Sequence, residues 1–285
     1  MIDLHALQAF TSVARWESFS IAAEHLFLTQ PAVSKRVAAL ETTLGQRLFD
    51  RIGRRVTLTD AGRALLPRAR ALLDEADALT RVVAAASDTI SGPLVMGTSH
   101  HVGLRRLPPV LRAFTQQYPD VQLDIRFMSS EAACRAVETG ELELAVVTLP
   151  TGREPALVRQ AVWDDPLEVL VSADHPLAGA ARVSLKQLVA HPAVLPGPDT
   201  YTRSILIQAL RPHGLTPRVV MSTDYLETLR MLVATGLGWS LLPADMAEPD
   251  LVALNTPLKL RRELGVVHHR SRTLSGAARA MLALL

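Results

Sequence analysis

The chain has 285 residues, 48% hydrophobic and 20% charged, with a formal net charge of +2. At roughly 100–200 residues per domain, that length predicts about two domains with real cores, and the apolar fraction excludes a largely disordered protein. No membrane span is predicted: the longest uncharged stretch, Thr89–Leu104, is broken by Gly, Pro, Ser and His, and the most apolar one, Met231–Ala244, is short and carries two glycines and a proline. MIDLHALQAF lacks a basic segment before an apolar one, and Cys134 is the only cysteine, so a cytoplasmic protein without disulfides or a thiolate metal site is expected.

The near-neutral total hides an uneven distribution. Residues 30–70 hold nine basic groups against three acids, a local +6 that leaves −4 on the remainder. Such a patch is an electrostatic footprint for phosphates. Leu4, Leu7, Phe10, Val13 and Ala14 recur at helical spacing and predict a first helix ending near Trp16. Ser20 is the expected N-cap of a short second helix reaching Phe27. After the turn Phe27-Leu28-Thr29, Gln30-Pro31 opens a third helix, proline being tolerated in a first turn. Val33, Val37, Leu40 and Leu44 share one face of that helix, Pro31, Lys35, Ala38 and Thr42 the other, and Gly45 stops it.

Two short helices joined by a tight turn, the second with a small outer face, describe a helix-turn-helix. A helix enters the major groove only where its outer face lacks bulk, and Ala32, Ser34 and Ala38 meet that condition. Gln30 and Lys35 are placed to reach base edges; Thr29, Ser34 and Arg36 are better placed for phosphates. Two strand-like runs around Gly53 then predict a β-wing whose Arg51, Arg54 and Arg55 flank the duplex.

These residues carry a family resemblance. The run FSIAAEHLFLTQPAVSKRVAALETTLGQRLFDRIGRRVTLTDAGRALL resembles the N-terminal domain of LysR-type transcriptional regulators, through AAE-x-L, TQPAVSK, LE-x-x-LG-x-x-LFDR and LT-x-AG in order. Most members carry arginine at the place of Lys35 and glutamine at that of Arg36; lysine lacks the planar bidentate fork, which leaves the preferred base open.

From Asp60 to Asp88, Leu65, Leu72, Leu79 and Ala86 repeat every seven residues, interleaved with Gly62, Ala69, Ala76 and Val83. This predicts a linker helix over 60–90, kinked near Pro67, that pairs with its copy in a second subunit through Leu65, Leu72, Leu79 and Val83. The alternative is a core helix of one chain.

Beyond Ser91-Gly92-Pro93, strand-like and helix-like runs alternate, implying an α/β fold with mostly parallel sheets. A single helix is expected over Val102–Tyr118, and strands at Leu94–Gly97, Val121–Phe127, Leu144–Thr148 and Leu167–Ser172. The resemblance implies an effector domain over 91–285 with two subdomains of periplasmic-binding-protein type, about 91–162 with 267–285 and about 163–266. Two strands near 161–166 and 264–268 would cross between them.

Ligands in open α/β sheets sit beyond the carboxyl ends of strands. Hydroxyl-rich turns stand at three such places: Thr98-Ser99-His100-His101, where His101 is expected to pack or cap, Thr148, and Thr200-Tyr201-Thr202-Arg203. A small anionic effector, an inorganic anion or a small carboxylate, is expected there on Thr98, Ser99, His100, Thr148 and Thr202, with Arg203 as counter-charge. No other cofactor, no metal and no nucleophile–base constellation is read from the sequence. The expected protein is a non-enzymatic, DNA-binding regulator with promoter DNA and its own copies as partners, in a dimer or dimer of dimers, and RNA polymerase as a further candidate. The alternatives are an architectural DNA-binding protein without a ligand, or a binding-protein-like enzyme with an accessory DNA module.

Overall fold

The computed structural model describes residues 2–52, 55–84 and 90–285, which form two compact units, 1–88 and 89–285.

The N-terminal unit opens with α1 (Leu4–Trp16), started by the Asp3 carboxylate accepting from the His5 N–H. Helix α2 (Phe19–His25) starts two residues earlier than an N-cap at Ser20 implies and ends at His25 rather than Phe27. Its N-cap is Ser18, whose Oγ accepts from the Ile21 N–H, because Phe19 is buried and already belongs to the helix. Helix α3 (Gln30–Leu44) follows, closed by Gly45 in the left-handed region, and its Val33, Val37 and Leu40 are buried as the spacing predicts. Strands β1 (Phe49–Ile52) and β2 (Arg55–Leu58) pair antiparallel as a wing, and α4 (Asp60–Ala84) completes the unit. The core joins Leu7, Phe10 and Val13 of α1 to Ala22 and Ala23 of α2, the α3 face, and Leu48-Phe49. Phe49 packs against the rings of Phe10 and Phe19 with centroids 5.4 and 5.7 Å away.

The α4 heptad does not form one uniformly exposed seam. Ala69 is fully buried and Leu65 half-buried, both against the core of their own chain, whereas Leu72 is 51% exposed. The side chains of Leu79 and Val83, like residues 85–89, lie outside the described residues. The helix runs through Pro67 to Ala84.

In the second unit, β3 (Gly92–Thr98), β4 (Val121–Phe127) and β5 (Leu144–Thr148) are parallel neighbours, with α5 (His100–Arg105), α6 (Leu107–Gln117) and α7 (Ser130–Glu138) between them. The helix expected over 102–118 is divided at Arg106, because Pro108-Pro109 supply no N–H to continue the first ladder. A 16-residue strand, β6 (Leu157–Ser172), merges the expected crossing segment with the strand expected at 167–172. Then come α8 (Leu185–Ala190), β7 (Pro192–Leu195), α9 (Tyr201–Leu210), β8 (Arg218–Ser222), α10 (Leu226–Ala234), β9 (Ser240–Pro243), β10 (Leu251–Ala253), β11 (Leu260–His269) and α11 (Gly276–Leu284).

The expectation of mostly parallel sheets is corrected here. The seven-stranded sheet runs β10-β6-β11-β5-β3-β4 with β9 also on β6, and every pairing of β6 and β11 is antiparallel. The reason is topological: β6 carries the chain from one lobe to the other and β11 brings it back beside it. Leu264, Val266 and the α11 residues Ala278 and Met281 therefore sit in the core of the first lobe, with Leu94, Met96, Phe114 and Leu144. The second lobe is built around Trp239, Val169, Leu188, Leu195 and Leu206.

Candidate DNA-reading surface and effector cavity

Helix α3 presents to solvent the face opposite its buried stripe. Thr29, Gln30, Pro31 and Lys35 are exposed, and Ser34 and Arg36 half-buried. Thr29 is the N-cap, but its side chain makes no capping hydrogen bond. Ala38 and Ala39 are also exposed, so this face is free of bulk. The same helix anchors the wing from behind: Glu41 Oε1 accepts from the N–H groups of Leu48 (2.7 Å) and Phe49 (3.3 Å). Arg51 and Arg55 sit on the wing strands, paired with Val56 and Ile52. Their side chains, and Arg54 altogether, lie outside the described residues.

The second unit holds a cavity of about 210 Å³ between its lobes. Ser99 and His100 enter it where β3 gives way to α5, Thr148 at the end of β5, and Thr202 in the first turn of α9. These four expected residues converge; two others do not. Thr98 is fully buried and its Oγ1 donates to the Val146 carbonyl at 2.8 Å, tying β3 to β5 rather than facing the cavity. Arg203 turns back on its own lobe, where Nη1 donates to the Pro196 carbonyl at 3.0 Å and to Ser222 Oγ at 3.3 Å.

The cationic group in the cavity wall is instead Arg262, on β11 and only 6% exposed. Its Nε donates to Asp165 Oδ2 at 2.7 Å and its Nη1 to Thr202 Oγ1 at 3.0 Å, while its buried Nη2 has no partner. Asp165 faces Arg262 across the β6–β11 ladder and also receives Arg106 Nη2 at 3.2 Å; the same nitrogen reaches Asp245 at 3.2 Å. Sequence reasoning missed Arg262, which precedes the crossing strand expected near 264–268, although the doublets Asp164-Asp165 and Arg261-Arg262 were a readable sign of complementary charge.

His101 lines the cavity too and is 97% buried, with neither ring nitrogen hydrogen-bonded. Burial first, then the neighbouring Arg262, pushes its pKa below the ordinary 6.5, against the opposite pull of Asp165, Asp245 and Glu227. A neutral imidazole inside and a protonatable one in the unfolded chain make stability fall with acidity: the contribution is present above pH 6.5 and is lost as pH drops below it. Melting temperatures between pH 7.5 and 5.5 should therefore decline in the wild type, and the decline should be shallower in His101→Gln. Equal slopes for both proteins would refute this account.

His101, Asp165 and Asp245 place ligand atoms within 4.8 Å of one another. However, two guanidinium groups already neutralise these carboxylates, so the cluster reads as an ion-pair network rather than a metal site. The N-terminus of α9, expected to receive an anion, is engaged as well. Glu131 of α7 reaches across the cavity and accepts from the Tyr201 N–H at 2.7 Å.

A reading helix with a wing in one unit and a two-lobed cavity in the other are the parts of a ligand-responsive regulator. Residues 4–63 match the bacterial regulatory helix-turn-helix proteins of the lysR family, and residues 87–285 match the LysR substrate binding domain. The chain belongs to the LysR family. It is 32% identical to the HTH-type transcriptional regulator CfxR of Cupriavidus necator, over all of this chain and 91% of that one. It is 31% identical to the HTH-type transcriptional regulator YfeR of Shigella flexneri, over 98% of this chain and 92% of that one. Among solved structures, full-length OxyR C199D from Pseudomonas aeruginosa superposes with a TM-score of 0.74 at 25% identity, covering all of this chain and 93% of that one. As a LysR-family member, the chain is a DNA-binding transcriptional regulator with an effector-binding domain, in a family of regulators and not of enzymes. Among the described residues, no helix is long and apolar enough to cross a membrane.

Proposed function

We propose that this regulator responds to a small organic carboxylate held between the lobes of its second unit. The observation that carries the reading is the pair of buried groups without a hydrogen bond in the cavity wall, Arg262 Nη2 and the His101 ring, whose Nδ1 stands 3.9 Å from Glu227 Oε1. A buried donor left without a partner costs about 1–3 kcal/mol, so a ligand that satisfies it gains that much. The carboxylate would lie against Arg262, with Ser99, His100, Thr148 and Thr202 supplying further hydrogen bonds. An inorganic anion, the other expected class, suits the cavity less well. At about 210 Å³ it exceeds more than tenfold the roughly 10–15 Å³ that one water needs, so a bare oxyanion would leave most of it to water. The architectural reading without a ligand leaves these buried nitrogens unexplained.

Ser99 and Thr148 belong to one lobe, Thr202 to the other, and Arg262 to the strand connecting them. A ligand touching all four would favour one lobe arrangement by its differential affinity for the two. On the DNA, Gln30 and Lys35 would read base edges in the major groove. Thr29, Pro31, Ser34 and Arg36 would fit the helix start against the backbone, with Arg51, Arg54 and Arg55 at the wing. Leu72, apolar and half exposed on α4, supports pairing of this helix with a second copy, which would bring two half-sites under one dimer.

Thermal melting of the full chain with a panel of small mono- and dicarboxylates, against sulfate and phosphate at matched ionic strength, tests the ligand class. A fitting carboxylate at 100 times its Kd should add about 2.7 kcal/mol. Stabilisation by sulfate or phosphate with none by any carboxylate would reverse the assignment.

A further inference from the structure

Helices α2 and α3 end with the same hydrogen-bond pattern and different residues. At the end of α3 the Gly45 N–H donates to the Thr42 carbonyl and the Gln46 N–H to that of Glu41, with Gly45 at φ 65°. At the end of α2 the Phe27 N–H donates to the Glu24 carbonyl and the Leu28 N–H to that of Ala23, with Phe27 at φ 53°. This motif calls for a left-handed residue and favours glycine, because a Cβ there crowds the backbone. Among the described residues the same pair of bonds closes on a left-handed glycine at Gly45, Gly214 and Gly236, and on phenylalanine at Phe27.

Phe27 is also 95% exposed. Its neighbours Leu26 and Leu28 both pack against the core, so the ring alone is turned outward. Neither stability nor solubility accounts for a bulky aromatic in that position: the backbone is strained and the ring buries nothing. Its place in the chain does. Phe27 stands two residues before Thr29, the N-cap of α3, at the end of the helix that enters the groove first.

We propose that Phe27 is a DNA contact, its ring packing on apolar surface of the duplex beside the start of α3. Two surfaces share that chemistry, the thymine methyl group at the major-groove edge and the deoxyribose of the backbone. The proposal rests on α3 being the groove-reading helix. It adds a contact that needs no charge and would not be found by searching for basic residues.

The test uses the full-length chain and a duplex of the DNA upstream of its own coding region, footprinted by the wild type, with a scrambled duplex of equal length. Phe27→Gly should raise the melting temperature by a few degrees, since it relieves the left-handed strain, and weaken specific binding roughly tenfold. An apolar contact releases no counterions, so the slope of log K against log salt should not change. Phe27→Leu should retain most of the affinity. Replacing thymine by deoxyuridine in the half-site separates the two surfaces. If the methyl group is the partner, wild-type binding weakens and Phe27→Gly binding does not; if the sugar is, the two respond alike.

Specific binding by Phe27→Gly within twofold of wild type would overturn the proposal, as would a flattened salt slope. A loss of affinity that follows a loss of self-association in sedimentation would also overturn it. Lys35→Ala serves as the control for the underlying reading. If it weakens specific binding and Phe27→Gly does not, only the Phe27 contact fails; if neither does, α3 is not the reading helix.

Discussion

Arg262→Met should lower the melting temperature of the effector unit by roughly 6–12 °C and abolish stabilisation by any carboxylate that protects the wild type. The first effect follows from Asp165, which is 1% exposed and would keep only Arg106 as a cationic partner, at 3.2 Å, after losing the 2.7 Å bond from Arg262. Removing one partner of a buried ion pair costs about 3–5 kcal/mol; with Arg106 retained, a value near 3 is expected. For a unit of this size each kcal/mol corresponds to roughly 2–4 °C. The two effects are separable by a second substitution. Asp165→Asn added to Arg262→Met removes the stranded carboxylate, so the double variant should recover much of the stability. It should not recover the ligand response, because the guanidinium facing the cavity is still gone. Recovery of both would make Arg262 a purely structural residue, and the effector site would have to lie elsewhere.

The two units were legible in the sequence to different degrees, for a physical reason. In the first, the information is local. Val33, Val37 and Leu40 lie on one face by helical spacing alone, and the exposed Lys35 and Gln30 follow from being opposite them. A cavity between lobes is not local. Ser99, His100, Thr148 and Thr202 were found because they stand at strand ends and helix starts, which have sequence signatures. Arg262 was missed because a charge doublet does not say which guanidinium is buried, and His101 because at the end of a helix-opening turn it reads as a packing or capping residue; what makes them functional candidates is burial without a hydrogen bond. Arg203 looked right in sequence, at a helix start, yet a side chain that long can fold back, and it does so onto the Pro196 carbonyl. The same limit explains α4. A seven-residue repeat reports that one stripe of the helix is covered, not by what, and Ala69 is covered by its own chain.

Gly62 gives the sharpest case of a residue whose role the repeat misstates. In the heptad it is one small position among others, where alanine would serve as well and, in an exposed helix, would add about 1 kcal/mol of stability over glycine. The structure reverses that sign. A Cβ on Gly62 would stand 2.3 Å from the Leu48 carbonyl oxygen and 2.8 Å from Leu58 Cδ2. The carbonyl cannot retreat, since it accepts from the Thr59 N–H at 3.0 Å, and Thr59 Oγ1 in turn accepts from Gly62's own N–H at 3.0 Å and donates to the Arg47 carbonyl at 2.7 Å. That knot joins the wing to α4, and the Leu48 and Phe49 N–H groups next to it are held by Glu41 of α3. Gly62→Ala should therefore destabilise the N-terminal unit by about 3 kcal/mol, the upper part of the usual range for overpacking. In a unit of this size that is roughly 12–24 °C in the temperature at which specific DNA binding is lost. Adding Leu58→Ala makes room at the side chain but not at the carbonyl, so the double variant should melt no higher than Gly62→Ala. Rescue by Leu58→Ala would assign the clash to the leucine, and the close backbone approach would no longer explain why glycine stands there.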